Sequence, residues 1–209
     1  MKTFEERVRG GGDAAIAEAQ RFFRKTGDVH LALRKIAAKL EELGIPYAVA
    51  GGMAVSAHGL LRTTEDVNVL VNSEGLAAVH RELEGLGYVP PFAGSKNLRD
   101  TETQVRVEFL VSGQFPGDGK PKPVAFPEPR DVAVDIDGVR YLGLPTLIEL
   151  KLASGMTSPI RQKDIGDVVE LIRALRLPLD FGLKLNEYVR GKYQELWRAI
   201  EDSERQGPQ

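Results

Sequence analysis

Residues 47–71 read YAVAGGMAVSAHGLLRTTEDVNVLV, with an apolar run at each end and a glycine pair between them. The first run predicts a short buried strand, residues 51–58 predict a turn that leads into a helix, and the valine-rich end predicts a second strand. Alternate residues of a strand share a face, so Asp66 and Asn68 should point the same way while the valines point into the core. The sequence therefore predicts a polar pair on one surface of a sheet.

The glycine pair Gly51-Gly52 stands between the first strand and the helix. Glycine has no Cβ, so backbone N–H groups can approach an anion closely, and the N-terminus of the following helix favours negative charge. Such a turn would suit a triphosphate. Glycine pairs are also common in ordinary strand-to-helix turns, and Asp66 could be only a strand-start residue.

A third acidic residue lies on a later predicted strand. Residues 104–111 alternate regularly between apolar and mainly polar positions. The apolar positions are Val105, Val107, Phe109 and Val111. Glu108 falls on the opposite face, together with Arg106. If this strand joins the sheet, Glu108 lies on the same surface as Asp66 and Asn68.

With these residues, the chain resembles the nucleotidyltransferase superfamily, which has the DNA polymerase β-like fold and includes minimal antibiotic-modifying transferases and the transferase toxins of abortive-infection systems. The motifs that carry the resemblance are Gly51-Gly52, Arg62-Thr63-Thr64, Asp66-Val67-Asn68 and the later Glu108. The match is close over residues 45–111 and continues weakly to Lys151 and residues 161–167. It implies an α/β (α+β) fold, with a small mixed sheet of nucleotidyltransferase type flanked by N-terminal and C-terminal helices.

The resemblance also implies an activity. A member of the superfamily moves a nucleoside monophosphate from a nucleoside triphosphate to a hydroxyl acceptor, and pyrophosphate leaves. Three acids hold one or two Mg²⁺ ions that clamp the triphosphate, and the third acid helps to deprotonate the attacking hydroxyl. By resemblance, these catalytic and metal-binding roles fall on Asp66, Asn68 and Glu108. The acceptor could be a tRNA, a protein or a small molecule, and a toxin with an antitoxin partner is a narrower form of the same interpretation.

Asn68 departs from the pattern of the superfamily, which usually has Asp or Glu at this position. An amide oxygen can ligate Mg²⁺ but brings no negative charge, and two divalent ions about 3.5 to 4 Å apart need charge to offset their repulsion. Three interpretations stay open: a one-metal enzyme, a slow two-metal enzyme completed by the nucleotide phosphates, and a non-catalytic nucleotide-binding or partner-binding module. Glu65 is an imperfect substitute, because a strand neighbour of Asp66 should face away from it.

Basic residues extend the candidate site. Arg62 precedes the acidic strand, and its forked guanidinium could bind phosphate oxygens and offset the charge of the leaving pyrophosphate. Lys151 lies on an otherwise apolar helix face and needs a partner. It either reaches the nucleotide phosphates or forms a buried ion pair with Asp164 or Asp167 of the next helix. The predicted nucleotide-binding residues are Gly51, Gly52, Arg62, Thr64 and Lys151.

The chain divides into three predicted segments that form one unit. Residues 1–44 form a helical segment with helices over 13–25 and 28–43, which should cover the sheet or mediate association rather than act in catalysis. Residues 45–142 form the nucleotidyltransferase-like core, and residues 143–209 form a C-terminal helical segment.

Between the Glu108 strand and the C-terminal segment, residues 113–129 are rich in Gly and Pro and carry Lys120 and Lys122. Two interpretations are open for this stretch. It is either a mobile flap over the substrate or a plain surface loop.

Composition excludes several classes of function. The 209 residues are 42% hydrophobic, which suits a globular core. The absence of cysteine excludes disulfide and thiolate chemistry, and 28 basic against 30 acidic residues leave no overall positive charge for non-specific nucleic-acid binding. The three histidines lack the spacing of a zinc site. Without a membrane-length apolar run or a signal-peptide core, a cytoplasmic location with no membrane partner is expected.

Overall fold

Short apolar runs in the middle of the chain form the central strands of a seven-stranded mixed sheet. The computed structural model describes residues 3, 4, 6, 12–23 and 25–206. The strands are β1 (Ala48–Ala50), β2 (Asp66–Val71), β3 (Tyr88–Val89), β4 (Leu98–Asp100), β5 (Arg106–Val111), β6 (Ala133–Ile136) and β7 (Val139–Leu142). Their order across the sheet is β3-β4-β5-β2-β1-β7-β6. The predicted α/β fold with a mixed sheet is confirmed.

Helices precede, interrupt and follow the strands. They are α1 (Gly12–Phe23), α2 (Asp28–Glu42), α3 (Gly51–Ala57), α4 (Ser73–Leu83), α5 (Pro129–Val132), α6 (Leu144–Thr157), α7 (Gln162–Leu175) and α8 (Glu187–Gln206). Short 3₁₀ turns at Pro159–Arg161 and Leu179–Lys184 join the last three. The helices predicted over 13–25 and 28–43 agree with α1 and α2. None of these described helices is long and apolar enough to cross a membrane.

The pairing of β2 with β5 positions the site. The two strands are parallel and in register from Asp66 opposite Arg106 to Val71 opposite Val111. Alternation along β5 is strict, with its odd-numbered residues buried and its even-numbered residues partly exposed. The odd-numbered side chains of β5 therefore fill the core, while its even-numbered side chains line one open surface of the sheet.

One hydrophobic core joins the three predicted segments. It contains residues of the N-terminal helices such as Ile36, of the sheet such as Val69 and Phe109, and of the C-terminal helices such as Ile148 and Leu171. These five side chains are fully buried or nearly so. Because helices from both ends of the chain pack on the same sheet, they can also contribute to the surface on which the polar side chains lie.

Candidate active site

A cluster of carboxylates and hydrogen-bond partners lies on the surface formed by β2 and β5. The parallel register places Asp66 opposite Arg106 and Asn68 opposite Glu108. Asn68 Nδ2 donates to Oδ1 of Asp66 at 3.1 Å, and Thr64 Oγ1 donates to the same oxygen at 2.9 Å. The three residues predicted to act in catalysis therefore lie side by side on one surface.

Arg106 lies between the two acidic side chains. Its Nη2 is 2.7 Å from Oε1 of Glu108 and 3.7 Å from Oδ2 of Asp66. The guanidinium thus places one positive charge where the carboxylates converge. The sequence prediction put Arg106 on the polar face but gave it no role. The sequence did not reveal the register of β2 and β5, which places Arg106 opposite Asp66.

Burial and neighbouring charge alter the basicity of Glu108. Burial raises the pKa of its carboxyl above the ordinary value and the charge of Asp66 raises it further, while Arg106, Arg161 and Lys96 act in the opposite direction. A carboxylate whose pKa is raised accepts a proton more readily near neutral pH. The environment of Glu108 therefore suits a proton acceptor.

The glycine pair allows site side chains to pack against the turn between β1 and α3. Gly51 has φ +61°, and a Cβ there would come within 2.9 Å of Nδ2 of Asn68. At Gly52 a Cβ would lie 2.7 Å from Cβ of Thr64 and would collide with the guanidinium of Arg62. Both glycines are thus explained by the close approach of three site side chains. Their predicted role in nucleotide binding stays a prediction.

A buried ion-pair network lies between α6 and α7. Lys151 is 5% exposed, and its Nζ donates to Oδ1 of Asp164 at 3.0 Å and to Oδ2 of Asp167 at 2.6 Å. The other oxygen of Asp167, Oδ1, lies 2.5 Å from Nε of Arg62. These contacts agree with the ion-pair interpretation of Lys151. They also connect Lys151, through Asp167, to the residue predicted to bind phosphate.

Asp164 accepts hydrogen bonds from three side chains of this network. Its Oδ2 accepts hydrogen bonds from Ser154 Oγ at 2.7 Å and from Arg161 Nε at 2.8 Å. Burial alone would raise the pKa of Asp164, but Lys151, Ser154 and Arg161 together hold it below the ordinary value. Asp164 is therefore held as a carboxylate that anchors Lys151 and Arg161.

Two cavities open next to the carboxylates. The first has a volume of about 470 Å³. Its lining includes all of the residues predicted to be catalytic or nucleotide-binding: Gly51, Gly52, Arg62, Thr64, Asp66, Asn68, Glu108 and Lys151. Asp164 also lines this cavity, whereas Asp167 contacts it through Arg62 and Lys151.

Helix α1 forms part of the wall of the first cavity. Ala15, Glu18, Ala19 and Phe22 line it, together with Phe4. The sequence prediction was that the N-terminal helices cover the sheet or mediate association and take no part in catalysis. No local signal in the sequence of α1 distinguishes a helix that lines a cavity from one that covers a sheet, because the difference depends on where the helix packs.

The second cavity has a volume of about 660 Å³ and shares part of its lining with the first. The residues that line both cavities are Gly51, Asn68, Glu108, Lys151, Arg161 and Asp164. Two compartments thus meet at Asn68 and Glu108. Such an arrangement can hold two reactants next to one set of polar side chains.

The oxygen donors of the site fit a single hard cation. Asp66 and Glu108 offer carboxylate oxygens and Asn68 offers an amide oxygen, which are the ligand types that Mg²⁺ binds. The described residues contain no group of three or more His, Cys, Asp or Glu side chains placed to hold a metal ion. Two carboxylates with Arg106 between them match the charge of one divalent ion better than that of two.

Solved structures that are similar to this chain include two of ANT(2'')-Ia and one of a further protein. The crystal structure of ANT(2")-Ia in complex with adenylyl-2"-tobramycin has a TM-score of 0.48 and 14% identity, over 82% of this chain and 97% of that chain. The solution structure of the antibiotic-resistance factor ANT(2'')-Ia has a TM-score of 0.49 and 15% identity, over 83% and 95%. An antigenic nucleotidyltransferase-like protein from Paracoccidioides brasiliensis has a TM-score of 0.46 and 15% identity, over 70% and 76%.

No protein-family model matches the chain, and no curated protein matches it.

Proposed function

We propose that the chain is a Mg²⁺-dependent nucleotidyltransferase that transfers a nucleoside monophosphate from a nucleoside triphosphate to a hydroxyl group. The observation that carries the proposal is the alignment of Asp66, Asn68 and Glu108 on β2 and β5, at the junction of two cavities. The first cavity would hold the nucleotide, because Arg62, Arg161 and Lys163 line it close to the carboxylates.

The charges of the first cavity favour a nucleotide that arrives with a metal ion. Its acidic lining residues are Glu18, Glu65, Asp66, Glu108 and Asp164, and its basic lining residues are Arg62, Lys151, Arg161 and Lys163. Because these charges nearly cancel, the cavity has no net positive charge to hold a triphosphate alone, and a divalent cation would supply it. When bound, Mg²⁺ would be held by Asp66, Glu108 and the amide oxygen of Asn68, and it would neutralise charge on the phosphate oxygens.

Different side chains of the site would act on different groups in the transfer reaction. The acceptor oxygen forms a bond to the α-phosphorus, the bond from that phosphorus to the bridging oxygen breaks, and pyrophosphate leaves with the electron pair. The proton of the acceptor hydroxyl passes to the carboxylate of Glu108, which lines both cavities. Arg62 would bind the departing phosphates, and Asp167 holds its guanidinium in place.

The proposal is tested by calorimetric titration of the protein with each of the four ribonucleoside triphosphates, first with Mg²⁺ and then with a chelator. Micromolar binding that requires Mg²⁺ is the expected result. If no triphosphate binds in the presence of Mg²⁺, the proposed function is wrong. The cytoplasmic location and the antitoxin partner stay predictions.

A second candidate function is favoured by Arg106. Its guanidinium already pairs with Glu108 and lies near Asp66, so it could replace a metal ion permanently in a non-catalytic nucleotide-binding or partner-binding module. Turnover of nucleoside triphosphate, measured as pyrophosphate release, separates this candidate from the enzyme.

The substitution Asn68→Asp distinguishes the two candidates further. A carboxylate at this position adds one negative charge beside Asp66, so we expect affinity for Mg²⁺ to rise about tenfold or more. If the site is an adapted one-metal enzyme, turnover should change less than tenfold. A large gain from an inactive starting protein would instead identify a decayed site. Asn72→Asp is the matched control, because it adds the same charge at the N-cap of α4, where Asp can accept the hydrogen bond that Asn72 takes from Gly75.

A further inference from the structure

The second cavity has an apolar lining that the nucleotide would not use. Its apolar side chains come from the sheet, from residues 113–126 and from α6. They are Ala50, Leu110, Phe115, Pro116, Phe126, Leu142, Leu147 and Leu150. With a volume of about 660 Å³, the cavity lies in the size range of small-molecule sites, roughly 300 to 1,000 Å³.

Residues 113–126 form a fixed wall of this cavity. Two backbone hydrogen bonds of 2.8 Å, from Gly113 N to Phe126 O and from Phe126 N to Gln114 O, close the base of the loop. The Nζ of Lys122 donates to Pro116 O at 2.5 Å and to Thr157 Oγ1 of α6 at 3.3 Å. The loop is therefore anchored to α6, which does not fit the interpretation of a mobile flap.

A glycine adds to this anchoring. Gly117 has φ +75°, and a Cβ there would lie 2.7 Å from Ser154 O and would collide with Oγ1 of Thr157. The loop backbone thus rests directly on α6. A wall fixed by backbone packing and by a buried lysine contact makes a largely pre-formed cavity, which is typical of small-molecule sites.

The charges of the second cavity do not suit a polycation. Its acidic lining residues are Glu108 and Asp164. Glu108 is paired with Arg106, and Asp164 accepts from both Lys151 and Arg161. Of the basic lining residues, Lys151 and Arg161 are thereby neutralised in turn, but Lys96, whose Nζ donates to the amide oxygen of Gln114, keeps a positive charge that would repel a ligand with several amines. An uncharged ligand with an apolar body would displace water from the apolar wall without this electrostatic repulsion.

We infer that the second cavity binds the acceptor, and that the acceptor is a small, uncharged hydroxyl compound with an aromatic or alicyclic body. This inference rests on the proposed function, because it places the hydroxyl beside Glu108, which lines both cavities. The apolar body would lie against Phe115, Phe126 and Leu150, and the hydroxyl would face the α-phosphate. Among the three acceptor classes left open by the sequence, a small molecule fits a cavity of this size.

The test uses 2-naphthol as a neutral aromatic hydroxyl probe and the glucosamine trimer as a polycationic one, with binding measured by calorimetry and saturation-transfer NMR. We expect 2-naphthol to bind and the trimer not to. Phe115→Glu should weaken 2-naphthol binding at least tenfold, because it places a charge in the apolar wall. Leu110→Gln, which keeps the side-chain size, should weaken it several-fold. Phe92→Glu is the matched control, since Phe92 is 69% exposed and lines neither cavity.

Binding of Mg²⁺ and ATP to the same variants separates the possible failures. Phe115→Glu should bind Mg²⁺-ATP within twofold of the parent. If Mg²⁺-ATP binds but 2-naphthol does not, or if the trimer binds more tightly, the acceptor inference is wrong and the proposed function stands. The inference also fails if Phe115→Glu and Leu110→Gln bind 2-naphthol as Phe92→Glu does. If 2-naphthol binds as expected and Mg²⁺-ATP does not, the proposed function is wrong. The inference that the second cavity binds the acceptor is then wrong as well.

Discussion

Asp66→Asn should reduce Mg²⁺-dependent nucleotide binding about a hundredfold and transfer by about a thousandfold, with the fold retained. The amide has nearly the same shape as the carboxylate but carries no charge. Oδ1 of Asp66 accepts from Thr64 and Asn68, and an amide oxygen can still accept these hydrogen bonds. What the variant loses is the charge that would hold a divalent ion beside Glu108. Calorimetric titration with Mg²⁺-ATP measures binding, pyrophosphate release measures transfer, and thermal unfolding measures the stability of the fold.

Asp202→Asn is the control for this variant, because Asp202 is exposed on α8 and lines neither cavity. It removes the same charge from the chain, so any general effect of net charge appears in both proteins. Equal nucleotide affinity in Asp66→Asn and Asp202→Asn would contradict the assignment of Asp66 as a metal ligand. A large drop in thermal stability of Asp66→Asn alone would show a structural role instead.

The central strands could be predicted from the sequence because their signal is local. Alternation in β2 and β5 fixes which side chains face the core, and the parallel register then brings Asn68 opposite Glu108. Other strands were missed. The hairpin of β6 and β7 turns at Asp137-Gly138, where both residues have positive φ. An Asp-Gly pair is a strong hairpin signal, so this hairpin could have been predicted from the sequence.

The remaining features of the site depend on tertiary packing and carry no local signal. The position of Arg106 between Glu108 and Asp66 follows from strand register, which alternation alone does not set. The wall contributed by Ala19 and Phe22 follows from where α1 docks. For the same reason, sequence reasoning could name Asp164 and Asp167 as partners of Lys151 but could not choose between an ion pair and phosphate binding.

Lys151→Met should lower the free energy of unfolding by about 3 kcal/mol, because it leaves Asp164 and Asp167 buried without their shared cation. Arg161 and Arg62 still pair with these carboxylates, which keeps the loss near the lower end of what breaking a buried ion pair costs. Urea unfolding measures the change. Lys39→Met is the matched control: it breaks the exposed pair of Lys39 and Glu42, and we expect a change of less than about 0.5 kcal/mol.

The combined variant Lys151→Met, Asp164→Asn, Asp167→Asn separates the structural role of Lys151 from a role in binding. Removing both carboxylate charges together with the lysine should restore part of the lost stability, because the buried carboxylates no longer need a cation, while Arg62, whose side chain is 17% exposed, loses its partner Asp167. Affinity for Mg²⁺-ATP should be lower than in the parent protein, because Arg62 loses the carboxylate that holds its guanidinium. If no stability is restored, the charges of the buried carboxylates are not the cause of the loss. If the triple variant binds Mg²⁺-ATP as tightly as the parent protein, Asp167 does not position Arg62, and the network serves the fold alone.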